Sequence, residues 1–138
     1  MNRRFSADAR EDALRRARLC SPFLREAIEA REDIADAFVA SGAVAAVDLA
    51  LTSNGSDLGA SLRRQRHALA LAVGLGDLAG ELTLEQVTRL LSDFADRAID
   101  EAVATAISER VPDAEPQGFA VIAMGKLGSR ELNYSSDV

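Results

Sequence analysis

The sequence lacks a second cysteine, a net positive charge and any long apolar run, and each absence argues against a class of site or partner. Cys20 is the only cysteine among 138 residues, so neither an internal disulfide nor a cysteine-rich zinc site can form, which fits a reducing cytoplasm. We expect Cys20 to be a small, buried, apolar residue. The net charge of −6 argues against a surface that neutralises nucleic-acid phosphates, so no nucleic-acid partner is expected.

Nothing in the sequence predicts a membrane or an export segment. No stretch reaches the roughly 18 uninterrupted apolar residues of a membrane-spanning helix. Arg3 and Arg4 are not followed by the apolar region of a secretory signal, and the acidic residues after them have the wrong charge for an organelle transit peptide. With 48% hydrophobic and 28% charged residues, the chain has the composition of a soluble domain with a real core.

Helical patterning dominates from residue 7 to residue 110, where four or five helices are expected. Ser21-Pro22 closes the first helix and caps a second one that runs to about Phe38. Thr83 and Gln86 form a capping box that opens the longest helix, which ends near Val111. The remaining helices are expected at about 43–51 and 57–78. In the second of these, the candidate core residues are Leu62, Leu69, Val73 and Leu75, and glycines 74, 76 and 80 are expected to loosen its end.

After an acidic loop, the pattern changes to that of an α/β protein. Residues 119–124 are apolar and are bounded by Gly118 and Gly125, which predicts a buried strand. Gly125 and Gly128 would let the backbone approach an anion, and Ser129 is expected at the start of the next helix, where free amides and the helix dipole favour phosphate. Lys126 either adds a cation to this turn or is exposed to solvent.

Asp137 is expected to begin a returning strand. Alternate residues of a strand point to the same side, so Asp137 and an acidic residue at position 139 would present two carboxylates to a pair of magnesium ions. Such ions can activate an attacking oxygen and stabilise a leaving phosphate oxygen. The glycine turn alone is also compatible with a purely structural role.

Two further interpretations of the turn are weaker. Ala123-Met-Gly125-Lys-Leu-Gly128 is close to the dinucleotide-binding fingerprint, but the helix after it is expected to break at Asn133, too soon for that fold. The phosphate loop of nucleoside triphosphatases fits less well, because Leu127 replaces the expected Ser or Thr.

Arg63, Arg64, Arg66 and His67 form a dense basic cluster. It is compatible with a solvated helix face, an anchor for nearby carboxylates or a docking patch for a partner. His67 has no second ligand at metal-binding spacing.

The segment Gly125-Lys-Leu-Gly-Ser-Arg-Glu-Leu-Asn-Tyr-Ser-Ser-Asp-Val138 resembles the signature of the bacterial bifunctional glutamine synthetase adenylyltransferase/adenylyl-removing enzymes, which belong to the DNA polymerase β-like nucleotidyltransferase superfamily. Residues 62–66 and 90–96 also resemble that family. The resemblance implies an α+β fold: a helical arm over 1–111, a loop over 112–118 and an incomplete nucleotidyltransferase domain over 119–138.

The resemblance also implies roles for single residues. Asp137 matches the first metal-binding carboxylate, which would be catalytic and would hold Mg²⁺. The residues that match phosphate or nucleotide-binding positions are Gly125, Lys126, Gly128, Ser129 and Ser136. Ala123 and Ser129 depart from the family pattern, which commonly has glycine at both positions.

The family joins two homologous domains: the N-terminal one removes AMP from a tyrosine of glutamine synthetase by phosphorolysis and yields ADP, and the C-terminal one attaches AMP from ATP. Residues 131–137 are nearer to the N-terminal copy, so the adenylyl-removing half is expected, with the transferase half as the alternative. Glutamine synthetase, a PII-type signal protein, ATP or ADP and phosphate are the implied partners, in the bacterial cytoplasm.

The 138-residue fragment alone is expected to be inactive, because the second metal carboxylate is missing, and to aggregate through an unpaired strand edge. A helical docking module is the non-enzyme alternative.

Overall fold

The computed structural model describes residues 7–115 and 117–135, and the chain divides into two compact units, Met1–Val87 and Thr88–Val138. Within the described ranges the chain is mostly helical. The helices are α1 (Ala7–Cys20), α2 (Pro22–Ala30), α3 (Glu32–Ser41), α4 (Ala43–Leu51), α5 (Leu58–Leu78), α6 (Leu84–Arg110) and α7 (Gly125–Gly128).

Two of the predicted helix starts are confirmed by their hydrogen bonds. The Ser21 hydroxyl accepts from the Leu24 amide at 3.2 Å, and Pro22 occupies the first position of α2. At the start of α6, the Thr83 amide donates to the Gln86 side chain at 2.8 Å, and the Gln86 amide donates to the Thr83 hydroxyl at 3.3 Å. This reciprocal pair is the predicted capping box.

The helix predicted from Pro22 to Phe38 is instead two helices. Arg31 has φ −140° and ψ 63°, which is not helical, and so separates α2 from α3. Its amide closes α2 by donating to the Ala27 carbonyl at 3.0 Å, and its carbonyl opens α3 by accepting from the Ile34 amide at 3.2 Å. The Arg31 side chain donates to the Ser53 hydroxyl at 2.9 Å, a contact 22 residues away that periodicity cannot reveal.

The core of the first unit is built around α5, where the predicted core residues Leu69, Val73 and Leu75 are buried, whereas Leu62 is only partly buried. The helix continues through the glycines that were expected to loosen it and ends at Leu78. A Cβ on Gly76 would lie 2.7 Å from the Cβ of Ala43. Glycine at this position therefore allows α4 and α5 to pack closely.

A largely buried ion pair connects three parts of the first unit. Glu81, whose side chain is 8% exposed, pairs with Arg10 of α1 through Oε1 and accepts from the Ala43 amide through Oε2 at 2.7 Å. A carboxylate at the N-terminus of α4 is favourable because the helix dipole is positive there. Gly42 has φ 91°, and a Cβ there would lie 2.6 Å from Arg10 Nη2, so glycine leaves space for this pair.

Two expectations are wrong for the residues that the structure describes. Cys20 is exposed, because it is the last residue of α1 and the buried residues of that helix are Ala13 and Ala17. No β-strand is present in 7–115 or 117–135, so only the helical part of the expected α+β fold is found. In those same ranges, no helix has both the length and the hydropathy that a membrane crossing requires.

Candidate functional site

The apolar segment over 119–124 has no regular secondary structure and is not the buried strand that was predicted. Its large side chains are exposed, to 82% for Ile122 and 81% for Met124. A strand needs a neighbour for its backbone and a surface for its apolar face, and the described residues supply neither. Gly118 and Gly125 bracket the segment with φ values of 78° and 57°, in the region that favours glycine.

The glycine turn that follows is the helix α7. Gly128 is needed here because of the backbone itself: a Cβ at this position would lie 2.7 Å from the carbonyl oxygen of Ala123. The helix is only four residues long and ends at Gly128. Such a helix is too short for the strand-helix-strand unit of a dinucleotide-binding domain, which weakens that interpretation.

Ser129 lies at the C-terminal end of α7, so the expectation that it begins a helix is wrong. Its amide donates to the Gly125 carbonyl at 3.0 Å, and this bond closes the turn. Its hydroxyl lies 3.2 Å from the same carbonyl and 3.1 Å from Glu131 Oε2. The serine therefore fixes the turn internally, and its role toward phosphate stays a prediction.

Lys126 is exposed and forms no ion pair within the part of the chain that the structure describes. Both predicted alternatives, a cation for the turn and a solvated side chain, are compatible with this placement. It is also the only lysine of the sequence.

The turn is attached to α6 by residues for which the sequence pattern predicts no role. Arg130 forms ion pairs with Asp93 and Asp96 of α6, and the Leu132 amide donates to the Ser92 hydroxyl at 3.3 Å. The spacing of Asp93 and Asp96, three residues apart on one helix, could have indicated a shared partner.

Two predicted site residues, Ser136 and Asp137, lie outside the described residues. Within 7–115 and 117–135, no group of three or more His, Cys, Asp or Glu side chains could hold a metal ion. The predicted magnesium ligand therefore stays a prediction.

The basic cluster lies on α5. All four of its side chains are exposed, while Gln65 between them is buried and donates to the Ser53 carbonyl at 2.9 Å. Arg64 donates to the Asn54 carbonyl at 2.8 Å. None of the three arginines forms an ion pair with a described carboxylate, which favours a solvated face or a docking patch over an internal anchor.

Known proteins resemble the chain over almost its whole length. Residues 9–138 match the family model described as glutamate-ammonia ligase adenylyltransferase. A relative from Xanthobacter autotrophicus, named bifunctional glutamine synthetase adenylyltransferase/adenylyl-removing enzyme, is 44% identical over 89 residues, which cover 56% of this chain and 9% of the relative.

Two relatives with the same name are similar over a longer stretch. The protein from Rhodopseudomonas palustris is 34% identical over 146 aligned residues, covering 91% of this chain and 15% of the relative. The protein from Mesorhizobium japonicum is 32% identical over 139 residues, covering 86% of this chain and 14% of the relative. The chain thus spans less than a sixth of the length of these relatives. No solved structure matches it significantly.

Proposed function

The chain belongs to the glutamate-ammonia ligase adenylyltransferase family, and we propose that it is part of an enzyme that controls glutamine synthetase by reversible adenylylation of a tyrosine. The observation that carries the proposal is the extent of the family match. It covers residues 9–138 and so includes the helical unit as well as the glycine turn. A chance resemblance of one short motif would not extend through six preceding helices.

Within this family we assign the chain to the adenylyl-removing activity. The amino acids at positions 131–137 support this choice, because they are nearer to those of the N-terminal copy. In that reaction an oxygen of inorganic phosphate attacks the adenylyl phosphorus on the modified tyrosine. A new phosphorus-oxygen bond forms, the bond to the tyrosine oxygen breaks, and the products are ADP and the free tyrosine, which gains a proton.

The glycine turn is proposed to bind the phosphate groups. Gly125, Lys126, Gly128, Ser129 and Ser136 are the proposed contacts. Two features support this role: the turn is exposed over 125–126 and 128–130, and Lys126 has no carboxylate partner among the described residues that would neutralise it. A free ammonium group beside an open turn suits a phosphate ligand.

Asp137 is proposed to hold Mg²⁺, which would neutralise charge on the transferred group. Carboxylate oxygen is the ligand type that Mg²⁺ prefers, but the described residues hold no set of three ligand side chains, so further ligands would come from elsewhere. Glutamine synthetase, ATP or ADP, phosphate and a PII-type signal protein are proposed partners, and the cytoplasm is the proposed location.

The test is an assay of the intact gene product with adenylylated glutamine synthetase, phosphate and Mg²⁺. We expect phosphate-dependent release of ADP, and we expect Asp137→Asn to abolish it. Asp113→Asn is the matched control, because Asp113 lies in the loop before the site and has φ 67°, a conformation that Asn tolerates. The control should retain the wild-type rate.

The other outcomes separate the alternatives. Attachment of AMP from ATP without release of ADP would assign the chain to the transferase half. If the wild-type and control proteins are folded but show neither ADP release nor AMP attachment, the proposal is refuted. The 138-residue chain alone should release no ADP.

A further inference from the structure

The turn that carries Ser129 is attached to α6 by a single arginine that contacts two acids. Arg130 follows Ser129 directly; its Nη1 pairs with Asp93 Oδ1, and its Nη2 lies 3.0 Å from Asp96 Oδ2. The two aspartates are three residues apart and so lie on one face of the helix. The planar guanidinium can reach both at once, which the point charge of a lysine cannot do with the same geometry.

The backbone of Arg130 is held in an unfavourable conformation. Its φ is 58°, in the left-handed region that non-glycine residues avoid. Such a conformation persists only where the surroundings fix it. Here the Arg130 amide donates to the Leu127 carbonyl at 3.0 Å, and the Glu131 amide donates to the Lys126 carbonyl at 2.7 Å. Arg130 therefore belongs to the hydrogen-bonded closure of the turn.

A second, independent contact lies two residues further on. The Leu132 amide donates to the Ser92 hydroxyl at 3.3 Å, and that hydroxyl donates to the Thr88 carbonyl at 2.8 Å. Ser92 is fully buried and Leu132 is 5% exposed. Leu132 is thus attached by a buried hydrogen bond, while Arg130 is attached by half-exposed ion pairs, and both partners lie on the same turn of α6.

We propose that Arg130 is a positioning residue for the phosphate turn, acting through Asp93 and Asp96 rather than through the substrate. This inference rests on the proposed function. Two carboxylates already neutralise the guanidinium, so Arg130 is a poor direct ligand for phosphate. It is well placed to fix the orientation of Ser129, because misplacing a binding group by about 1 Å can cost on the order of a hundredfold in rate.

The structural part of the test uses the 138-residue chain and hydrogen exchange of the Leu132 amide. Arg130→Ala and the double variant Asp93→Asn, Asp96→Asn should each raise its exchange rate, by about fivefold or more, because the turn would open locally. Glu101→Gln is the matched control: it removes the Arg97–Glu101 ion pair of the same helix, at 2.9 Å, without touching the turn. Unchanged exchange in Arg130→Ala would refute the attachment, whatever the enzyme does.

The functional part uses a double-mutant cycle in the intact gene product with the ADP-release assay. Arg130→Ala should lower kcat/KM by about 10- to 100-fold and should have little further effect when Asp93 and Asp96 are already Asn. Arg130→Lys should recover only part of the loss, because it cannot pair with both acids in the same way.

If the losses of kcat/KM from the arginine and aspartate substitutions are additive, Arg130 acts on the substrate directly. If Arg130→Ala speeds exchange of the Leu132 amide but leaves kcat/KM unchanged, the positioning role is refuted. If wild-type protein shows neither activity, the proposed function fails, and so does the positioning role, while the exchange experiment still decides whether the attachment exists.

Discussion

Arg31 and Asp33 form an ion pair beside the break between α2 and α3, and this pair makes the stability of the fold depend on pH. The Arg31 guanidinium donates to both Asp33 oxygens, at 2.8 and 2.7 Å, and lowers the pKa of that carboxyl below its ordinary value of 3.8. A pKa that is lower in the folded state means that ionised Asp33 stabilises the fold above about pH 4. This contribution is lost as the pH falls through the folded-state pKa.

We therefore expect Asp33→Asn to reduce the free energy of unfolding near neutral pH by less than about 1 kcal/mol, because solvent screens a half-exposed pair. The difference from wild type should shrink below about pH 4, where the wild-type carboxyl also loses its charge. Urea unfolding followed by circular dichroism across this pH range measures both effects. Asp36→Asn is the control, since Asp36 lies on the same helix and has no ion pair with a described residue. Parallel pH profiles for wild type and Asp33→Asn would contradict the prediction.

Single residues of the turn were predicted to matter, but the reason could not be read from the sequence. Glycine at 128 was expected because a backbone without Cβ can approach an anion. The structure shows instead that the Ala123 carbonyl occupies the space that a Cβ would need. The contact depends on how the turn closes, and Arg130 with its positive φ belongs to the same closure. Neither is a property of residue type or spacing.

At the scale of whole helices, sequence reasoning succeeded where the deciding bonds are local. The caps at Ser21 and Thr83 each join residues three positions apart, so residue type and spacing are sufficient. It failed where the sequence pattern continues but the structure does not follow it. The helical pattern continues through Arg31, where the backbone is not helical, and residues 119–124 have strand composition but no described strand beside them.

The close approach of α4 and α5 gives a test at this scale. In Gly76→Ala the new Cβ would lie 2.7 Å from the Ala43 Cβ and 2.8 Å from Leu82 Cδ1, so a helix must move. Overpacking of this kind costs about 1–3 kcal/mol, which should exceed the gain of about 1 kcal/mol in helix propensity. We expect a net loss of stability, measured by urea unfolding.

Gly59→Ala in the same helix is the matched control. Its Cβ would have the ends of the Arg63 and Asp57 side chains as nearest atoms, at 3.3 and 3.4 Å. This variant should be as stable as wild type or slightly more stable, because alanine has a higher helix propensity than glycine and meets little steric hindrance here. If Gly76→Ala and Gly59→Ala change the free energy of unfolding equally, the packing of α4 against α5 does not determine the effect.

For the molecule as a whole, the net charge and the apolar segment over 119–124 have opposite effects on association between copies of the chain. The charge of −6 makes copies repel one another, whereas residues 119–124 contain no charge and present Phe119, Val121, Ile122 and Met124 to solvent. An exposed, uncharged apolar segment with strand composition is a template for pairing with another chain. Because salt screens repulsion but leaves apolar attraction, association should increase with ionic strength.

We expect the 138-residue chain to elute from size-exclusion chromatography as associated species whose fraction rises with concentration and with salt. Ile122→Lys should shift the profile toward monomer, because a charge within the segment opposes strand pairing. Val44→Lys is the control: Val44 is 70% exposed on α4, so this variant makes the same change in net charge outside the segment. If both variants reduce association equally, net charge is the cause; a wild-type monomer at high concentration and salt would show that the exposed segment does not pair between copies.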